Sequence, residues 1–139
     1  MGNCCKRSYK SEDDEPSLTV PLANEKVTRI ESVEQWEEKV SEANRNGKMV
    51  VVNFSASWCN PCRVIAPTFY NLAAKYESLV FLTVDVDDLA EFSTSWDIKA
   101  TPTFIFLRDG QRADKIVGAN KEELINKIEA AANSCIQLR

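Results

Sequence analysis

Lys48-Met49-Val50-Val51-Val52-Asn53-Phe54-Ser55, continuing through Ala56-Ser57 into Trp58-Cys59-Asn60-Pro61-Cys62-Arg63, is the stretch that decides the fold. Its first part is a valine-rich, nearly continuous apolar run, the pattern of a strand buried on both faces. Its second part opens a helical pattern that runs from about residue 59 to 76. Cys59 and Cys62 therefore stand at the junction of a buried strand and a helix. At a helix N-terminus, unpaired amide donors and the positive end of the dipole favour a thiolate. The thiolate is the attacking species in disulfide exchange, so Cys59 is placed as a nucleophile. Cys62, one turn later, can reach the same sulfur, is expected to be the more buried of the two, and would resolve a mixed disulfide. Pro61 restricts the backbone inside the small ring that the two sulfurs close.

Working outward, residues 27–30 read as a short strand. Ser32 with Gln35 three residues later forms a capping box, and Val33, Trp36, Val40 and Ala43 recur at helical spacing. Gly47 falls where a helix C-terminal cap belongs. Downstream, residues 79–86 form another buried strand, and Asp87 is placed to cap a short helix carrying Leu89, Phe92 and Trp96. Residues 103–107 and 115–117 flank Asp109-Gly110, a strong hairpin signal. A last helix begins near Asn120 and buries Leu124, Ile128 and Ala131. Alternating strands and helices that end in a hairpin and a helix predict an α/β fold. Its centre is a mixed β-sheet with helices on both faces.

Composition bounds the function. The 139 residues suit one domain, with an apolar fraction of 44% and a charged fraction of 27%. A net charge of −4 leaves no basic surplus for phosphates, which argues against a nucleic-acid partner. There is no histidine, so Ser-His-Asp triads and imidazole zinc sites are excluded. No apolar run reaches membrane-spanning length, and the polar, charged start does not resemble a signal peptide. A reducing, cytoplasmic setting is expected, and there a cysteine pair is more often catalytic than structural.

Rival readings of the pair are weaker. A Cys-x-x-Cys can be half a zinc site, but Cys4, Cys5 and Cys135 supply no matching second half. No metal is therefore expected. Asn53 stands inside the buried strand, six residues before Cys59. Thr101-Pro102 precedes a predicted strand, and spacing alone leaves its cis and trans forms both open.

Several of these stretches, in order and spacing, resemble the thioredoxin family. They are residues 54–63, Ile65-Ala66-Pro67, Val84-Asp85-Val86-Asp87, Ala100-Thr101-Pro102-Thr103 and Val117-Gly118-Ala119. Trp96-Asp97-Ile98 and the overall wording look like the plant h type with an N-terminal extension. The resemblance covers about residues 25–132. It implies a thioredoxin fold and protein-disulfide reduction by dithiol–disulfide exchange, with Cys59 as nucleophile and Cys62 resolving. No cofactor would be bound. Electrons would reach the redox-active disulfide from NADPH through thioredoxin reductase, or from glutathione and glutaredoxin, and pass to disulfide-containing target proteins. Thr101-Pro102 would be a cis-proline loop facing the sulfurs. Trp58, Ala100 and Val117-Gly118-Ala119 would form a shallow apolar docking surface. Gly118 would be small because a larger side chain obstructs a partner's backbone.

Three departures from the family pattern stand out. Asn60 replaces the usual glycine inside the ring, which can move the reduction potential away from the roughly −270 mV of thioredoxin. Asn53 replaces a buried aspartate thought to accept the proton of the resolving thiol, and an amide cannot act as that base. Thr83 replaces the lysine usually paired with that aspartate. Loss of both members together is coherent, since removing one alone would strand a buried charge. A thioredoxin-fold binding module with a weak redox site is the alternative function, although such a module needs neither cysteine.

Residues 1–24 read as a flexible extension, and 25–135 as the thioredoxin domain. The extension is rich in charge and poor in apolar residues. Met1-Gly2-Asn3-Cys4-Cys5 resembles a dual-acylation signal, with myristoylation at Gly2 and palmitoylation at Cys4 or Cys5. One myristoyl chain binds membrane only marginally, so the second anchor would matter. Lys6, Arg7 and Lys10 would add attraction to anionic lipid and help tether the chain to the plasma membrane or endomembranes. Lys6 occupies the place where the consensus asks for Ser or Thr, so an unmodified tail is the competing reading. Cys135 reads as an incidental thiol.

Overall fold

The computed structural model describes residues 26–137. Its elements follow the predicted order: β1 (Val27–Ile30), α1 (Val33–Arg45), β2 (Met49–Ser55), α2 (Asn60–Lys75), β3 (Leu79–Asp85), α3 (Ala90–Ser95), β4 (Thr103–Arg108), β5 (Gln111–Val117) and α4 (Lys121–Gln137). The strands form one sheet in the order β1-β3-β2-β4-β5. β1, β3 and β2 are parallel, whereas β4 runs antiparallel to β2 and β5 antiparallel to β4.

β2 lies at the centre, and its two faces explain its unbroken apolar run. Met49 and Val51 point to the side covered by α2 and α4, where they join Ile65, Phe69, Leu124 and Ile128. Val50, Val52 and Phe54 point to the other side and join Trp36 and Ala43 of α1. There the Trp36 ring meets Phe92 at 4.9 Å and Trp96 at 5.4 Å in edge-on geometry. Helices thus cover both faces of a mixed sheet, as the alternation of periods predicts.

Local chemistry fixes the element ends. Ser32 Oγ accepts from the Gln35 N–H at 3.1 Å, satisfying an orphan donor of α1. In return the Glu31 N–H donates to Gln35 Oε1 at 2.7 Å, one residue earlier than in a standard capping box. Asp109 and Gly110 both have positive φ, 55° and 80°, the requirement of a type I′ hairpin turn. β5 begins at Gln111, four residues before its apolar signal. Its exposed first half, with Arg112 and Asp114, gives the sheet a charged edge that discourages further pairing. Asp114 accepts from Lys127 Nζ at 2.7 Å, which ties β5 to α4 and holds the Asp114 carboxyl below its usual range.

One cap differs from expectation. The N-cap of α3 is Leu89, with no side-chain bond, and Asp87 lies upstream of it. Asp85 organises this turn instead, because its Oδ1 accepts from the N–H groups of Asp87 at 2.8 Å and Asp88 at 3.3 Å. The Asp87 side chain is left to serve the site described next.

Candidate active site

β2 ends at Ser55 on the same edge of the sheet as the end of β3, and the chain turns there into α2. The Cys59 N–H donates to the Ala56 carbonyl at 3.1 Å, closing the turn. Arg63 Nη2 reaches back to the Ser57 carbonyl at 2.9 Å and latches it. Cys59 becomes the N-cap of α2, with its sulfur accepting from the Cys62 N–H at 3.2 Å. This is the amide environment that favours a thiolate once the pair is reduced. Asn60 and Pro61 occupy the first helical positions, where a missing proline N–H costs the helix nothing. Both are exposed.

Cys59 and Cys62 form a disulfide. The sequence predicts Cys62 as the more buried residue, but both are buried, at 3% and 5% exposure. The loop before β4 is the reason, because Cys59 Sγ lies 3.5 Å from the Thr101 carbonyl oxygen. The Thr101-Pro102 peptide bond is cis. Thr103, itself buried, donates through Oγ1 to the Ala100 carbonyl at 2.7 Å and fixes the loop from behind. The Pro102 carbonyl accepts from the Gly118 N–H at 2.8 Å, which brings the end of β5 beside the same loop.

The other expected site residues fall around this centre. Trp58 is 66% exposed and Val117 58%, and Ala100 and Ala119 are also exposed. Gly118 has φ +103°, and a Cβ added there would meet nothing within 4 Å. Its backbone conformation therefore demands glycine even without a partner. Trp58 Nε1 donates to Asp87 Oδ2 at 2.7 Å, a contact the sequence does not announce. The nearest signal was Val84-Asp85-Val86-Asp87, where Asp87 reads more simply as a cap.

Asn53 is buried, and by strand alternation with Val51 its side chain lies on the sheet face that α2 covers. Its Oδ1 has no hydrogen-bond partner among the described residues. Thr83, directly opposite on β3, donates to the Asn53 backbone carbonyl at 3.3 Å and leaves the amide alone. Gly2, Cys4 and Cys5 lie outside the described residues, as does the N-terminal extension as a whole. Among the described residues, no group of three or more His, Cys, Asp or Glu could hold a metal ion. No described helix is long and apolar enough to cross a membrane.

A disulfide at a helix N-cap, facing a cis-proline loop, is an exchange site: one sulfur accepts an amide N–H and the other can close on it. Comparison with known proteins agrees. The thioredoxin family model matches residues 27–130. The chain is 55% identical over 135 residues to a thioredoxin H-type of Populus jackii, covering 96% of each protein. It is 48% identical over 134 residues to thioredoxin H4-1 of Oryza sativa subsp. japonica, covering 96% of this chain and 99% of that protein. A crystal structure of poplar wild-type thioredoxin h superposes with a TM-score of 0.74 at 59% identity, over 76% of this chain and 95% of that one. The chain belongs to the thioredoxin family, resembles its plant h type, and is a thiol–disulfide oxidoreductase working by dithiol–disulfide exchange through Cys59 and Cys62.

Proposed function

We propose that the physiological direction is reduction of target-protein disulfides. The observation that carries this is the Cys59 sulfur at the α2 N-cap, accepting the Cys62 N–H. In the reduced enzyme the Cys59 thiolate attacks one sulfur of a target disulfide. That S–S bond breaks, a mixed disulfide forms, and the other target sulfur leaves as a thiolate. Cys62 then gives up its proton and attacks the Cys59 sulfur. The Cys59–target bond breaks, the second target sulfur takes up a proton, and the enzyme is left in its disulfide form. Two electrons, supplied from NADPH through thioredoxin reductase or from glutathione and glutaredoxin, restore the dithiol.

Trp58, Ala100, Val117, Gly118 and Ala119 form the docking surface in this reading, and Thr101 pairs with the target's backbone beside the cis-proline. The exposure of Trp58, Ala100, Val117 and Ala119, next to buried sulfurs, supports that role. Insulin-disulfide reduction, driven separately by each donor system, tests the function. Turnover with one donor identifies the electron source. Absence of turnover with both, from folded protein, leaves a redox-weak binding module.

Asn53 sets the route of the Cys62 proton. With an amide where the family carries a carboxylate, the proton leaves through water rather than through a buried side-chain base. Asn53→Asp installs a carboxyl whose burial raises its pKa, opposite a threonine rather than a lysine. Stability that is present at acid pH is then lost as pH rises through that raised value, by about 1–3 kcal/mol. The pH–rate profile gains a new inflection. An Asn53→Asp profile that superimposes on the parent's would overturn this route.

The N-terminal sequence supports a finer reading of location: acylation at Gly2 and at Cys4 or Cys5 tethers the enzyme to the cytoplasmic face of the plasma membrane or endomembranes. Gly2→Ala then moves the protein from the membrane fraction to the supernatant of cell lysates. An unchanged distribution rejects the anchor.

A further inference from the structure

Among the described residues, the Trp58 indole is held by a single side-chain hydrogen bond. It is two-thirds exposed, so packing does little to fix it, and its Nε1–H donates to Asp87 Oδ2 at 2.7 Å. Asp87 lies in the turn between β3 and α3, so the orientation of the indole follows that of the turn.

Three features hold the turn. The Val86 N–H donates to the Ser55 carbonyl at 2.9 Å, anchoring it to the end of β2. Asp85 Oδ1 accepts from the N–H groups of Asp87 and Asp88. Arg29, reaching up from β1, places Nη2 2.6 Å from Asp88 Oδ2 and 4.0 Å from Asp85 Oδ2. Its guanidinium thus bridges the carboxylates on either side of Asp87. Without it, Asp85, Asp87 and Asp88 would be three like charges within four residues, each repelling the others. Tyr70 on α2 feels the same guanidinium: burial raises its pKa and the Arg29 charge pulls it back. Arg29 therefore ties the edge strand to the turn.

We propose that Arg29 is a positioning residue for disulfide exchange, clamping the turn so that Asp87 holds the Trp58 indole where targets dock. This rests on the reading of Trp58 as part of the docking surface. An exposed ion pair adds little to overall stability, so its effect is local. Arg29 touches neither sulfur, and small disulfides that need no docking surface react at the parent rate without it.

The test uses the full chain with Arg29→Met, which keeps the apolar stem and removes the charge. The first readout is hydrogen exchange of the Trp58 indole N–H by NMR, assigned by its loss in Trp58→Phe. The second is KM and kcat with insulin, set against the rate with a small aromatic disulfide. Indole exchange is expected to speed up and insulin KM to rise, each by about three- to fivefold, the scale of one exposed ion pair. kcat and the small-disulfide rate stay unchanged, and Arg29→Lys restores most of both effects. Asp88→Asn breaks the same contact from the other side and must reproduce the result, including where Arg29→Met fails to fold. Parent-like exchange and KM in these variants, with Trp58→Ala still raising KM, overturn the clamp but leave the docking surface standing. An insulin KM unchanged by Trp58→Ala overturns the docking reading and the clamp together. A KM rise that Arg29→Lys does not relieve also rejects the clamp, because it marks a merely structural role.

Discussion

Cys59→Ser lowers insulin-disulfide reduction by at least about a thousandfold, the order of loss when a nucleophile is removed. A serine hydroxyl at the α2 N-cap still accepts the Cys62 N–H, so the fold survives while the attacking sulfur is gone. Cys62→Ser gives a different result. The Cys59 thiolate still attacks, the mixed disulfide still forms, and the partner sulfur that would resolve it is gone. Covalent enzyme–target adducts therefore accumulate on non-reducing gels with Cys62→Ser and are absent with Cys59→Ser. The asymmetry follows from position. Cys59 is the cap residue, whose sulfur receives the Cys62 N–H and lies against the Thr101 carbonyl, beside the proposed docking surface. Cys62 lies one turn inside the helix, in the small buried cluster it shares with Cys59 and Ala56. Equal adduct formation by the two variants would mean that either sulfur can attack, and the assignment of roles would fail.

Phe69→Ala destabilises the fold by about 3–5 kcal/mol, the cost of truncating a fully buried phenylalanine. Phe69 is 1% exposed on α2, and its ring meets Phe81 of β3 at 5.4 Å and Phe104 of β4 at 5.6 Å. It therefore joins the active-site helix to two strands of the sheet. The rings of Phe81 and Phe104, held on separate strands, cannot collapse into the space Phe69 leaves, which puts the cost toward the upper end of the range. Against a total stability of about 5–15 kcal/mol, the loss is large enough to shift a urea midpoint by molar amounts. Val64→Ala, on the same helix but exposed, serves as the control and should stay within about 0.5 kcal/mol. A Phe69→Ala loss no larger than the control's would mean that α2 is not held by this cluster.

Of these residues, the two cysteines have roles legible in the sequence. Cys59 and Cys62 announce themselves by spacing and by the strand-to-helix switch around them. The helix that carries Phe69 is expected from about residue 59 to 76, but its part in the core came from the structure. The effects centred on Asn53 and Arg29 were not legible in the same way. Asn53 could be marked as unusual only against a family pattern, and its unpaired Oδ1 could be found only once β2 and β3 were in register. Arg29 reads as an ordinary strand residue. Asp87 was assigned to a helix end because Asp commonly caps helices, yet the turn is organised by Asp85, and Asp87 is taken by Trp58.

By itself the sequence determined the element order, the buried central strand, the cap at Ser32, the hairpin at Asp109-Gly110 and the cysteine pair at a helix start. All of these are encoded locally, in periods of two or 3.6 residues, in turn chemistry and in contacts three or four residues apart. Only the tertiary structure decided what surrounds the sulfurs. The Cys59–Thr101 approach spans 42 positions, the Trp58–Asp87 bond 29 and the Arg29–Asp88 pair 59. Such contacts depend on β1 and β3 pairing beside β2 and on β4 returning antiparallel along its other edge. The cis form of Thr101-Pro102 belongs with them, since spacing left both isomers open. A residue's own sequence neighbourhood carries propensity, whereas the identity of its distant neighbours is fixed only when the sheet order and register are.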